Sequence, residues 1–201
     1  MSKVPETLTI EESECLLVYV AGIYNSKFSL WKNHRNLTMT LLMLDAGLRV
    51  GEVVRTRPHD LWLGSEPARA LNVSTGIAEK GCNRIVPLSS RLRESIKNMQ
   101  QIIWSVIDPQ TNAYAFFVDD VGKAITPRQI QRLIETASLL SIGRKIHPHI
   151  LRHTFATRLM RLTSTPVVQQ LLGHKRLTST QVYVHPNGDD CQKAIDLLDS
   201  L

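Results

Sequence analysis

The sequence predicts an α+β domain that is predominantly helical, with a small three-stranded antiparallel sheet. Three observations carry that expectation. Apolar residues recur at helical spacing between clear start and stop signals along most of the chain. The pattern changes to that of strands over residues 70–75 and 84–88, which flank a turn region holding Gly76 and Gly81. The 201 residues, 43% of them hydrophobic, suffice for one core, and they contain no repeat, low-complexity tract or long linker.

Taken in order, Thr9 and Glu12 form a capping box ahead of Ile10, Leu16, Leu17 and Val20, with Gly22 as the stop. A second helix runs from about Asn33 to Ala46, dense enough in leucine and methionine for full burial, and Gly47 caps its end. A short helix from Val50 to Arg55 ends before Pro58. Strands follow at 70–75 and 84–88, then a helix over roughly 89–106 and a third strand at 115–118, "AFFV". Thr126-Pro127-Arg128-Gln129 supplies cap, first-turn proline and N3 glutamine for a helix that stops at Gly143. Another begins near His149, and Thr165-Pro166 opens one stopped by Gly173. A helical turn around Tyr183 and a last helix from Asp189 to Leu198 complete the expectation.

Composition narrows the function. The longest apolar run, residues 37–48, is broken by Asp45 and Gly47 and falls short of a membrane span. The N-terminus lacks the basic-then-apolar pattern of a secretory signal, so a cytoplasmic protein is expected. Cys15, Cys82 and Cys191 form neither a CxxC nor a metal spacing. Charge is distributed unevenly. From Thr136 to Gly188 there is no Asp or Glu, although 18 acids in 201 residues predict four or five. The same stretch holds seven Lys and Arg, so the net charge of +6 is concentrated there, as on a polyanion-binding face.

Its centre, "HPHILRHTFATR", places His149 and Arg152 at i and i+3 on one helix face, with His153 rotated away. Each of these residues alone reads as an ordinary surface or packed side chain. His149 and His153 also have the i, i+4 spacing of a zinc-binding helix, but without the glutamate of HExxH. Upstream, "GLRVGE" puts Arg49 just past a helix cap with Glu52 able to hold its guanidinium, and Lys80 stands at a turn tip. Downstream, Gly173 places His174 at a corner, and Tyr183 follows a Ser/Thr-rich loop.

Together these fragments resemble, in order and spacing, the tyrosine recombinases of the phage-integrase type. The resemblance rests on "GLRVGE", on "KGCNRIVPL" with a turn one residue shorter than usual, on "HILRHTFAT", on "LLGH", and on Thr180, Tyr183 and His185. It runs from about Leu8 to the last helix. It implies the catalytic fold of that family across residues 1–201 as a single domain, with the N-terminal core-binding domain expected to be absent. It further implies a catalytic set of Arg49, Lys80, His149, Arg152, His174 and Tyr183, with no cofactor and no metal. His153 and His185 fall at positions of structural support.

The chemistry suits those residue types. Cleaving a phosphodiester requires stabilising extra charge on pentacoordinate phosphorus, and an arginine fork can bond two non-bridging oxygens at once. A phenol, with an unperturbed pKa of ~10, ionises more easily than serine and leaves more readily. The resemblance makes Tyr183 the nucleophile that forms a 3′-phosphotyrosyl link. Lys80 could give the leaving 5′ oxygen its proton and His149 could serve as the base for the phenol, and the resemblance settles only in part which of the two moves which proton. Double-stranded DNA is the expected partner, with self-assembly to a tetramer on DNA; the amphipathic C-terminal segment either docks on a neighbouring copy or folds back on its own domain. Arg144, Lys145, Lys175 and Arg176 are expected phosphate contacts or, failing that, unpaired surface charges. A type IB topoisomerase, a DNA-binding regulator without catalysis and a zinc hydrolase are the competing readings.

Overall fold

The computed structural model describes residues 6–22, 30–74, 76–78, 83–105, 114–118 and 123–173. Its first helix, α1 (Ile10–Val20), begins where the capping box places it. Thr9 Oγ1 accepts from the Glu12 N–H at 3.1 Å, and a Glu12 carboxylate oxygen accepts from the Thr9 N–H at 2.9 Å. Leu16, Leu17 and Val20 face inward. Helix α2 (Leu30–Leu44) is central, and every residue from Thr38 to Leu44 is buried. Thr38 and Thr40 satisfy their hydroxyls on the carbonyls of His34 and Asn36 one turn back, which removes the cost of burying them.

Gly47 ends this segment with φ +62°. A Cβ at that position would come within 2.4 Å of the Phe155 ring, so both backbone and packing demand glycine here. The chain then turns through α3 (Val50–Arg55) and α4 (Pro58–Leu61).

Two antiparallel ladders follow. In the first, β1 (Trp62–Leu63) pairs with β2 (Glu66–Pro67) across Gly64-Ser65, a two-residue loop with Gly64 at φ +61°. In the second, β3 (Ala70–Val73) pairs with β4 (Arg84–Pro87), Val73 opposite Arg84 and Ala70 opposite Pro87. The expected third strand at 115–118 does not form. Among the described residues the sheet is two two-stranded ladders, and this segment makes one isolated bridge, Phe117 with Ala124. The Phe116 carbonyl accepts from the Ile125 N–H at 3.1 Å and the Val118 N–H donates to the Lys123 carbonyl at 2.8 Å, while the Ala115 groups are engaged outside this pairing. The Ala115 N–H donates to the Thr56 carbonyl at 2.8 Å, and the Ala115 carbonyl accepts from the Trp104 indole at 2.9 Å. "AFFV" is apolar because Ala115, Phe116 and Phe117 are buried.

Helix α5 (Ser90–Met99) continues into a π-helical turn (Gln100–Trp104) that carries Trp104 onto the Ala115 carbonyl. Helix α6 (Pro127–Ile142) has the predicted Thr126–Gln129 box and stops at Gly143, φ +74°. Helices α7 (Pro148–Met160) and α8 (Thr165–Leu172) close the described chain, α8 ending at Gly173 with φ +65°. The expected turn around Tyr183 and the last helix lie outside the described residues.

The main core gathers Leu16, Met39, Leu42, Leu71, Ile96 and Leu151 from five elements. A smaller cluster, Phe155, Ala156, Val168 and Leu172, joins α7 to α8. The N-terminal segment is clipped to this body by polar contacts. Arg144 donates to both Glu12 oxygens at 2.9 Å and also pairs with Glu6, and Arg158 donates to the Thr9 carbonyl at 2.9 Å. Arg144 is thus neither an open phosphate contact nor an unpaired surface charge. Its carboxylate partners come from 132 and 138 residues away in sequence.

Candidate active site

Helix α7 starts at Pro148, whose fixed φ suits the first helical position, and Arg152 follows one turn later. The side chain points inward, and the residue is only 5% exposed. Its guanidinium donates to two main-chain carbonyls, that of Gly47 and, at 2.7 Å, that of Leu172. Arg152 therefore lies between the end of α2 and the end of α8. Gly47 is two residues before Arg49, and Leu172 is two residues before His174.

Arg49 stands at the N-cap position of α3, its side chain 24% exposed. Glu52, in the first turn of that helix, is completely buried. One of its oxygens accepts the Arg49 main-chain N–H at 2.8 Å, and the other lies 3.3 Å from Arg49 Nη1. The shorter side-chain bonds go elsewhere. Arg84 of β4 meets the carboxylate with both terminal nitrogens, at 2.9 and 2.7 Å. Burial alone would raise the Glu52 pKa. The Arg84 hydrogen bonds and charge, the Arg49 N–H and the Arg152 charge together outweigh it and hold the group at about 2. Three guanidinium groups act on this one carboxylate.

His149 is exposed at the start of α7, and it shares with Arg49 a cleft of about 300 Å³ also lined by Val50, Gly51, Gln131 and His147. His147 is held from α6, its Nδ1 lying 3.3 Å from a Glu135 oxygen and 3.2 Å from the Gln131 amide. His153 turns inward. Burial lowers its pKa, and the charges of His149 and Arg152 lower it further. The structure thus brings Arg49 and His149 to one cleft, and connects Arg49 with Arg152 through Gly47 and Glu52. Lys80, His174 and Tyr183 lie outside the described residues, as do Lys175 and Arg176. Among the described residues no three His, Cys, Asp or Glu side chains converge on a common metal position.

One residue of this cluster carried no role in the sequence reading. Arg84 lies within "KGCNRIVPL", where it reads as one more strand residue. The signal was its register. Arg84 and Val86 point inward while Ile85 is 64% exposed, so the strand buries a cation and exposes an isoleucine. An inverted pair of that kind marks a partner that local patterning does not reveal.

Comparison with known proteins adds the following. Residues 24–189 match the model of the "Phage integrase family". A tyrosine recombinase XerC of Pseudomonas syringae pv. tomato (strain DC3000) is 32% identical over 154 residues, 76% of this chain and 48% of the relative. The chain spans about half the length of the curated relatives it matches. Among solved structures, XerA recombinase superposes with a TM-score of 0.76 at 24% identity, covering 98% of this chain and 66% of that one. The XerH site-specific recombinase in a pre-cleavage complex with its difH substrate gives a TM-score of 0.73 at 24% identity, covering 96% and 55%. These two likenesses establish a shared fold.

Proposed function

The chain belongs to the phage integrase family, and from that premise we propose that it is the catalytic part of a tyrosine-type site-specific DNA recombinase. The observation that carries this reading is the placement of Arg152. A buried guanidinium anchored to the carbonyls on both sides of it, with Arg49 two residues from one anchor, is a pre-organised phosphate site. A cation at that depth without a use in chemistry would be costly to retain.

In the proposed reaction Arg49 and Arg152, with His174 as a third donor, hold the non-bridging oxygens of one DNA phosphate. The Tyr183 oxygen attacks phosphorus, its proton passing to His149. The bond from phosphorus to the 5′ oxygen breaks, and that oxygen takes a proton from Lys80. The product is a 3′-phosphotyrosyl enzyme and a free 5′-hydroxyl. Attack by a 5′-hydroxyl from another strand reverses each step and restores the phosphodiester, so the bond energy is conserved. Double-stranded DNA is the substrate, and exchange requires assembly of four copies on two sites through the C-terminal segment. The protein would act in the cytoplasm, where such DNA lies. The relative XerH, solved with its difH substrate, is in keeping with a duplex partner.

The experiment begins by recovering, through repeated selection from a randomised duplex library, DNA that the full chain binds. The selected duplex is then nicked to trap cleavage and incubated with the protein. A protease-sensitive covalent adduct is expected, absent in Tyr183→Phe. A retarded complex that yields no adduct with the wild-type protein would overturn the proposal.

A further inference from the structure

Arg84 and Arg49 compete for one carboxylate, and the geometry divides it unequally. Arg84 takes both oxygens at 2.9 and 2.7 Å, whereas the Arg49 side chain lies 3.3 Å from one of them. The Arg84 pair is sealed, with side chains 1% and 0% exposed, while Arg49 opens to the cleft at 24%. We infer that Arg84 is a positioning residue, which occupies Glu52 so that the carboxylate does not neutralise Arg49 and the Arg49 charge is directed at a phosphate.

The physical reasoning is one of charge accounting in a dry site. A buried carboxylate facing a single guanidinium pairs with it fully, and the pair offers a phosphate little net attraction. With Arg84 present, the group formed by Arg49, Glu52 and Arg84 carries one positive charge, and its most exposed member is Arg49. Glu52 remains useful because it accepts the Arg49 main-chain N–H and fixes where α3 begins. Stability alone is a poor reason to keep such a pair, since well-packed apolar residues commonly replace a buried ion pair without loss. The strand also exposes Ile85 while burying Arg84, which departs from the pattern that packing alone would select. Arg84 follows Lys80 by four residues in sequence, and its bonds to Glu52 tie α3 to the first residue of β4. The inference rests on the phosphoryl-transfer reading for the role of Arg49.

The test uses the full chain and two readouts, affinity for inorganic phosphate by ³¹P NMR titration and adduct formation on the nicked duplex. Glu52→Gln alone is expected to bind phosphate at least as tightly as wild type. Arg84→Met is expected to weaken phosphate binding about tenfold, the value of one charge-assisted contact. Adding Glu52→Gln to Arg84→Met should restore affinity to within a few-fold of wild type, with Arg84→Lys intermediate. Adduct formation should follow the same order through Arg84→Met and its rescue. If Glu52→Gln instead lowers phosphate affinity while the variant remains folded under the assay conditions, the inference is overturned. It is equally overturned if the double variant is no better than Arg84→Met, or if the wild type binds no phosphate. Phosphate binding that obeys the expected order without any adduct would uphold the Arg84 assignment and sink the recombinase reading.

Discussion

Two of the arginine–carboxylate clusters in this molecule differ in balance as well as burial. Around Glu52, three guanidinium groups act on a single acid that is wholly out of water. Around Arg144, one guanidinium is shared by Glu12 and Glu6 at a partly exposed edge. The second cluster satisfies its cation and fastens α1 to the loop between α6 and α7. The first leaves an excess of positive charge beside a cleft, and excess charge is what a polyanion can use. Counting basic residues along the chain would treat Arg144 and Arg152 alike; counting the acids each one meets separates them.

The contrast breaks most visibly in Arg152→Ala. Removing a pre-organised phosphate donor should slow adduct formation by about 10²–10³-fold or more, measured in single turnover on the nicked duplex. A variant that cleaved at near wild-type rate would remove Arg152 from the site. Glu52→Ala should cost about 3–5 kcal/mol in urea unfolding, because it strands buried arginines. The pH dependence has a definite sign. The Glu52 pKa is depressed from 4.5 to about 2, so its contribution is complete above pH 4.5 and is lost as pH falls toward 2. Urea midpoints measured across that window should fall for the wild type and change less for Glu52→Gln.

Gly47→Ala probes the main-chain anchor that joins the two guanidinium sites. A left-handed alanine in contact with Phe155 should cost about 1–3 kcal/mol, and adduct formation should slow because the carbonyl held by Arg152 moves. The smallest effect is expected at the Arg144 cluster. Arg144→Ala should cost no more than about 1 kcal/mol, since partly exposed pairs are screened by solvent. Its adduct rate should stay at the wild-type level, and the stability difference should shrink as salt is added.

How much of this could be read in advance depends on how local the cause was. Both threonine capping boxes, and the glycines ending α6 and α8, lie within a few residues of what they control, and each appears in the structure where the sequence placed it. The β1–β2 hairpin was missed because two-residue strands are too short to show alternation. The strand expected at 115–118 was misassigned because an apolar run does not reveal whether its amides meet a ladder or, as here, a helix end and an indole. Arg49 and His149 were identified from motif, and they share a cleft. Arg84 was passed over and Arg144 misread because their acids stand 32 and 132 residues away, beyond any local pattern.

Arg152 reaches across 105 residues to Gly47 and across 20 to Leu172. Synthesis proceeds from the N-terminus, so a growing chain holds Arg49, Glu52 and Arg84 well before it holds Arg152. The anchor at Leu172 emerges later still. A nascent chain can therefore pair Arg84 with Glu52 before the side chain that bridges the ends of α2 and α8 has been made. Chain order itself sets the sequence in which this cluster is assembled.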